Sequence, residues 1–394
     1  MPWKQIEPMN QRVEFGLRAL STDNFRALCE EFGISPKTGY KWRERFLAHG
    51  IAGMAEHSRR PNNSPNGLGE GVVCDMIRIK QQHLAWGPRK IRAIYARTHV
   101  ETPSESSFKR VLERAGYTEK RRLRPRKEAG RLSSGKRAQA PNEVWTVDFK
   151  GWWYVQGRRC EPLTIRDEFS RYVLELRAMA DAKSSSVRLV FEQLFERHGL
   201  PQCIRSDNGS PFAHVSGLLG LTRLSAWWVA LGIDLERNRP GCPQDNPGHE
   251  RFHLDVSKEL EKPRLGEHQA GLDEWRRTFN EERPHEALKM RTPAEAYCQS
   301  SKQYEGTPED LSYPGMEQRK IVKNGNLAWN RQRVFISTAL QGWSVGLAPQ
   351  AERLNVWFGR LLLGQLEPQT ASFQPSIPSA QAAAKTDSSS SASR

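Results

Sequence analysis

The chain has 394 residues, enough for about two to four domains of ordinary size. Hydrophobic residues make up 37%, so a core is available, and no run of about 18 apolar residues marks a membrane span. Lys and Arg number 60 against 45 Asp and Glu, a formal charge of +15 that points to a polyanionic partner, most simply nucleic acid. The six cysteines include no Cys-x-x-Cys pair, which argues against a zinc knuckle or a thioredoxin-type site and fits free thiols in a reducing cytoplasm. The N-terminus, Met-Pro-Trp-Lys-Gln-Ile-Glu-Pro, lacks an apolar stretch, so no secretory signal is expected.

In chain order, residues 1–57 read as a helical DNA-binding domain. Phe25, Leu28, Cys29 and Phe32 follow the helical repeat, and Gly33 supplies a tight turn. Ser35-Pro36 then opens a second helix carrying Lys37, Thr38, Lys41, Arg43 and Arg45. Helix, glycine turn and basic helix form a helix-turn-helix pattern whose second helix enters the major groove; a plain helical hairpin with a solvated basic face is the other reading. A Pro-, Asn- and Gly-rich linker follows. Residues 72–118 read as a second helical module of three helices, the last bearing Lys109, Arg110 and Arg114. It is either a second DNA-reading unit or a purely structural domain. Residues 119–140 are a basic linker, a solvated tether or a neutraliser of phosphates.

The composition changes at Pro141. Strand patterns over Val144–Phe149, Cys160–Arg166 and Tyr172–Arg177 precede an amphipathic helix over Ser184–Arg197. A short strand ends at Ser206, Leu224–Leu231 reads as a helix with Trp227-Trp228, and Ile233–Glu236 as a last short strand. Asp245-Asn246-Pro247 caps a helix running to about Leu260, and another helix covers Leu272 to about Glu281. Residues 141–300 are thus an α/β sheet beginning with an antiparallel meander. Residues 313–368 alternate in short strands, which predicts a small all-β barrel. Residues 371–394, rich in Ser, Ala and Gln, predict a disordered tail.

Three acids stand out. Asp148 lies inside a strand, where an unpaired charge is costly. Asp207 ends the strand over Cys203–Ser206, with Asn208-Gly209 after it as a turn expected to use positive φ. Glu250 lies near the start of the helix capped at Asp245-Asn246 and shares a face with Asn246. Taken singly, Asp148 can pair with an Arg, Asp207 can serve the turn and Glu250 can be a surface residue. Taken together, three carboxylates from separate elements can hold two divalent ions, and an oxygen-only set suits Mg²⁺ or Mn²⁺ and phosphodiester chemistry.

Val144-Trp-Thr-Val-Asp-Phe149, Arg205-Ser-Asp-Asn-Gly-Ser-Pro-Phe212 and the stretch from Pro240 to Phe252 resemble the three catalytic motifs of DDE transposases with a retroviral-integrase-like core. Asn280-Glu-Glu-Arg-Pro-His-Glu-Ala-Leu288 resembles the segment that closes that core, and the N-terminal modules resemble those of bacterial insertion-sequence transposases. The resemblance spans about residues 15–366. It implies an RNase H-like fold, DNA cleavage and strand transfer, and a metal-ligand role for Asp148, Asp207 and Glu250 with two Mg²⁺ (or Mn²⁺) ions per site. It further implies a cytoplasmic, nucleoid-associated homo-oligomer acting on terminal inverted repeats and target DNA, with no membrane partner. His249, Arg251, His253 and Lys258 are candidate contacts to the DNA end. A non-catalytic DNA-binding regulator derived from such an enzyme is the alternative. Two features depart from the family pattern. The interval from Asp207 to Glu250 is long, with the surplus expected in Ala213–Ser225. Pro247 stands where a small flexible residue is common, which requires it to sit in the first helical turn.

Overall fold

In a computed structural model of the chain, residues 8–56, 67–118, 137–151, 153–155, 158–214, 216–239, 247–260 and 268–376 are described. They fall into two compact units, Met1–Gly69 and Glu70–Arg394.

The first unit contains helices α1 (Pro8–Arg18), α2 (Phe25–Glu31) and α3 (Pro36–His49), then a 3₁₀ turn over Gly50–Met54. Local chemistry starts each of the last two helices. Asn24 accepts from the Ala27 amide, and Ser35 accepts from the Thr38 amide with Pro36 in the first turn. The expected turn residue Gly33 has φ +63°, which only glycine adopts without strain. Phe15, Leu28, Cys29, Trp42 and Met54 are buried together. A side chain at Gly39 would come within 2.4 Å of the Cys29 sulfur, so that glycine lets α3 lie directly on α2.

The second unit begins with helices α4 (Glu70–Gln82), α5 (Pro88–Thr98) and α6 (Glu105–Arg114), packed around Met76, Ile79, Ile91, Tyr95, Phe108 and Leu112. Lys80 is buried because its ammonium reaches the Leu84 and Trp86 carbonyls at 2.5 and 2.7 Å, closing the turn between α4 and α5. The bulk of the expected basic linker, residues 119–136, lies outside the described residues.

A six-stranded mixed sheet follows: β1 (Val144–Phe149), β2 (Trp153–Val155), β3 (Arg158–Asp167), β4 (Val173–Met179), β5 (Cys203–Ser206) and β6 (Asp234–Arg237). β1, β3 and β4 pair antiparallel, while β1, β5 and β6 pair parallel. The parallel steps need crossovers, which α7 (Ser184–His198) and α8 (Arg223–Ala230) supply. Trp145, Phe191, Phe195, Trp227 and Trp228 fill the core against one face. Against the other face lie α9 (Pro247–Leu260) and α10 (His268–Arg277), whose Phe252, Val256, Leu272 and Trp275 bury against Val173 and Leu176. A π-turn over Thr278–Glu282 and the short helix α11 (Pro293–Ala296) end this part.

The Asn280–Leu288 motif explains how that layer is held. The Asn280 side chain bonds both the amide and the carbonyl of Val173, at 2.8 and 2.9 Å, acting as one more sheet partner. Buried Arg283 bridges Asp255 at 2.8 Å and Glu259 at 3.0 Å, which pins the middle of α9.

The C-terminal strands are β7 (Glu317–Lys320), β8 (Asn326–Trp329), β9 (Gln332–Phe335), β10 (Ser344–Gln350), β11 (Arg353–Phe358), β12 (Leu361–Glu367) and β13 (Ser372–Pro375). The expected barrel does not close. The ladder is an open sheet, β13-β12-β11-β10-β7, and β8 and β9 form a separate hairpin. Helix α8 covers the apolar face instead. Its Ala226, Val229 and Ala230 join Val345, Leu347, Val356, Phe358 and Leu363 in one cluster, while Trp227 and Trp228 face the central sheet. A helix buried on all sides needs no polar stripe, and residues 224–230 are all buried. The surplus before α8 has a related role: Leu221 is buried in that same cluster, with Leu218 and Leu219 packed on it.

The start of the segment expected to be a disordered tail is ordered. Ser372–Pro375 forms β13, with Phe373 paired to Leu366 and packed on the same cluster; residues 377–394 lie outside the described residues. A single aromatic anchors a segment that is otherwise polar.

Candidate active site and DNA-facing helices

Asp148 is the penultimate residue of β1, and β1 pairs in parallel with β5, whose end delivers Asp207. The parallel register therefore brings the two strand ends side by side. Glu250 sits in the first turn of α9, which starts at Pro247, so the proline occupies the position that a helix tolerates best. Asp245 and Asn246, the expected caps, lie outside the described residues.

Two of the acids act on the third. Burial, then the charges of Asp207 and Glu250, push the Asp148 carboxyl up to about 7. Burial also raises Asp207, against a hydrogen bond from the Gly209 amide that lowers it. The Asp207 Oδ1 atom is buried with no protein partner. Asn208 and Gly209 turn the chain without positive φ, contrary to expectation. The glycine is needed for another reason: a Cβ there would stand 2.8 Å from Asp207 Oδ2.

The Asp148 shift has a pH consequence. Below its ordinary value of 3.8 the carboxyl is protonated in both folded and unfolded chains. As pH rises from there to about 7, the unfolded chain ionises while the folded one keeps its proton, so the stabilising contribution is progressively lost. The melting temperature of the metal-free protein is expected to fall between pH 5 and 7, and Asp148→Asn is expected to flatten that part of the profile.

The start of α9 is fixed to the sheet by polar contacts beneath the acids. His249 is buried; its Nδ1 lies 3.0 Å from the Thr146 hydroxyl and its Nε2 2.6 Å from the Thr164 hydroxyl. His253, one turn on, places Nε2 3.0 Å from the same Thr164 oxygen. Buried Arg166 donates to the Gly248 carbonyl at 2.7 Å and to Thr146 Oγ1 at 3.3 Å. Gly248 is tightly enclosed, since a Cβ there would meet Arg166 Nη2 at 2.2 Å and Arg171 Nη1 at 2.7 Å. Burial lowers both histidines well below the usual range, His253 to about 3, so both are neutral. The expected DNA contact at His249 is thereby corrected: a fully enclosed ring with both nitrogens engaged holds α9 down and does not face DNA. Arg251 and Lys258 are exposed on α9, Arg251 with Asp255 at 3.5 Å. Thr146, Thr164 and Arg166 were not singled out in the sequence; their only signal is polarity at strand positions that the pattern assigns to the core.

On α3, Lys37 and Lys41 are exposed, and Tyr40 beside them is 57% exposed. The other expected contacts are partly committed to the fold. The Thr38 hydroxyl lies 2.9 Å from that of the capping Ser35, Arg45 lies 5.2 Å from the Trp42 ring centre, and Arg43 lies 5.5 Å from that of Phe25. Lys109 and Arg110 on α6 are exposed. A basic groove of about 510 Å³ runs between α5 and the segment after Leu288, lined by Arg89, Arg92, Arg97, Lys289 and Arg291 with Glu105 and Glu295.

Family comparisons agree with this layout. Two models of an integrase core domain match residues 138–243 and 231–293. A helix-turn-helix domain matches 11–62 and a homeodomain-like domain 38–112. An uncharacterized 31.7 kDa protein of insertion element IS407 from Burkholderia multivorans is 25% identical over 62% of this chain and 87% of its own. The 39.2 kDa protein of IS476 from Xanthomonas euvesicatoria is 24% identical over 62% of this chain and 70% of its own. The Gag-Pol polyprotein of baboon endogenous virus is 29% identical over 51% of this chain and 11% of its own. The HTLV-2 integrase catalytic core in complex with magnesium covers 41% of this chain and all of its own at 15% identity, with a TM-score of 0.32. The chain is therefore an integrase-core protein with helix-turn-helix domains. Together with the insertion-element relatives, that core makes it a transposase, a polynucleotidyl transferase. Among the described residues, no helix is long and apolar enough to cross a membrane.

Proposed function

We propose that Asp148, Asp207 and Glu250 form the catalytic and metal-binding site, at which the transposase cuts the ends of its element and joins them to target DNA. The observation that carries this is electrostatic. Three acids from β1, the end of β5 and the first turn of α9 converge closely enough that two of them raise the carboxyl of the third. Like charges are brought together at a cost to the fold only where something relieves it. The donor set fits hard divalent cations: Asp207 Oδ1 is buried without a protein partner, and the carboxylates offer only oxygen. When bound, a pair of Mg²⁺ or Mn²⁺ ions supplies Lewis-acid stabilisation of the attacking and leaving oxygens at phosphorus. Asp148 and Asp207 then act from adjacent strand ends, and Glu250 from a helix whose seat is fixed by Arg166, Thr146 and His249.

The domains carrying this are 1–57 and 72–118 for DNA, 141–300 for catalysis and 313–368 as an accessory β unit. Lys37, Lys41, Lys109, Arg110, Arg251 and Lys258 contact the terminal inverted repeats or the target, and the cytoplasmic, nucleoid-associated protein works as a homo-oligomer. The intact triad and the integrase-core matches favour an active enzyme over a non-catalytic regulator. The test is joining of a labelled element end in Mg²⁺. Wild type is expected to join it, whereas binding without joining would establish the regulator. Lys37→Ala and Lys41→Ala are each expected to weaken end binding across sequences and lower the salt slope by about 1, because both are exposed. A titration of binding against salt concentration reads this directly.

A further inference from the structure

The ligand-capable atoms of Asp148, His249 and His253 all lie within 4.8 Å of one another. Counting protons separates the two histidines. The Thr164 hydroxyl has one proton and two lone pairs. Its proton goes to the Asp148 carbonyl oxygen at 2.8 Å, which can only accept. Both lone pairs therefore accept, one from His249 Nε2–H at 2.6 Å and one from His253 Nε2–H at 3.0 Å. With Nε2 as the donor of a neutral ring, His249 Nδ1 is the bare nitrogen and takes the Thr146 hydroxyl proton at 3.0 Å in preference to the longer 3.4 Å contact of that hydroxyl with the Arg166 carbonyl, and the Thr146 oxygen takes the Arg166 Nε–H at 3.3 Å. Both nitrogens of His249 are then committed. His253 keeps a lone pair on Nδ1, and that atom lies 4.0 Å from Asp148 Oδ2. The separation is too long for a hydrogen bond, and a small side-chain rotation brings the two atoms to the roughly 3.0–3.4 Å that separates neighbouring donors on one cation. A ring N–H tied to a second group, with the opposite nitrogen bare, is the arrangement that metal-ligating histidines use.

We propose that His253 is a nitrogen ligand for the cation held at Asp148, a fourth donor beside the three carboxylates. The inference rests on reading those carboxylates as the metal site. A nitrogen donor shifts preference from Mg²⁺ toward Mn²⁺, Co²⁺ and Zn²⁺, which accept imidazole more readily.

The test is electron spin echo spectroscopy of the full-length protein loaded with Mn²⁺. Nitrogen modulation from a directly bound imidazole is expected in wild type, with its pattern changed when histidine is supplied as ¹⁵N-histidine. His253→Asn is expected to lose the modulation, weaken Mn²⁺ binding by about tenfold or more, and change Mg²⁺ binding much less. The labelled wild type decides the matter even if that variant fails to fold. Mn²⁺ bound to wild type through oxygen alone would overturn the role of His253 and leave the carboxylate site standing. Equal Mn²⁺ binding by wild type and by Asp148→Asn/Asp207→Asn would instead overturn the carboxylate site, and this proposal with it.

Discussion

Asp207→Asn is expected to lower end joining by about three orders of magnitude or more while leaving the metal-free protein as stable as wild type or more so. The two effects have opposite sign because the carboxylate serves chemistry at the expense of the fold. Its Oδ1 is buried without a partner, and its charge adds to the repulsion on Asp148. An amide of nearly the same shape removes that charge and keeps an oxygen able to accept from the Gly209 amide. The loss of activity follows because a neutral ligand gives up several kcal/mol of attraction for a divalent cation. A joining assay run beside a thermal melt separates the readings. Loss of joining with an unchanged or higher melting temperature supports catalysis, while a clear drop in melting temperature would make Asp207 structural. End binding gives a further control, since the helix-turn-helix unit carrying α3 is compact on its own account.

Gly248→Ala is expected to destabilise the protein by about 1–3 kcal/mol and to reduce joining by about a hundredfold. On helix propensity alone the change should help, by up to about 1 kcal/mol, because glycine is a poor helix residue. The surroundings reverse the sign. A methyl group there would lie 2.2 Å from Arg166 Nη2, and Arg166 cannot swing away without breaking its bonds to the Gly248 carbonyl and to Thr146. The first turn of α9 must lift instead, taking Glu250 away from the two aspartates. Because the effect acts through position, joining should fall about a hundredfold even at temperatures where a thermal melt shows the variant fully folded. Equal, mild losses in both would show that the turn relaxes without moving Glu250.

Much of this was legible along the chain. Helices α2 to α6 announced themselves by capping residues and a 3.6-residue repeat, and the strands of the central sheet by short apolar runs, since both signals are local. Asp148 and Asp207 stood out because an acid within a strand or at its end is conspicuous one position at a time, and Glu250 stood out through its place beside the expected helix cap. The C-terminal strands were legible as well; their closure was not. Alternation records that one face is covered, and a helix covers it as well as another strand does. Phe373 illustrates the same limit, a lone aromatic whose partners lie on a neighbouring strand.

The seat of Glu250 belongs to the other kind of information. Pro247 drew attention because proline constrains its own backbone, yet it starts the helix without conflict. The tight position is its neighbour Gly248, and nothing within ten residues of it says so. Arg166, Thr146 and Thr164 come from β1 and β3, far away in sequence, and only the sheet register brings them under α9. His249 and His253, one turn apart and alike in sequence, both meet the Thr164 hydroxyl and acquire different roles because His249 also meets that of Thr146. The sequence by itself determined the elements, the acids and the kind of partner, because propensity, patterning and charge act locally or add along the chain. Only the tertiary structure decided which glycine, arginine and histidine hold the acids together, because close packing and proton sharing depend on neighbours that the chain order does not reveal.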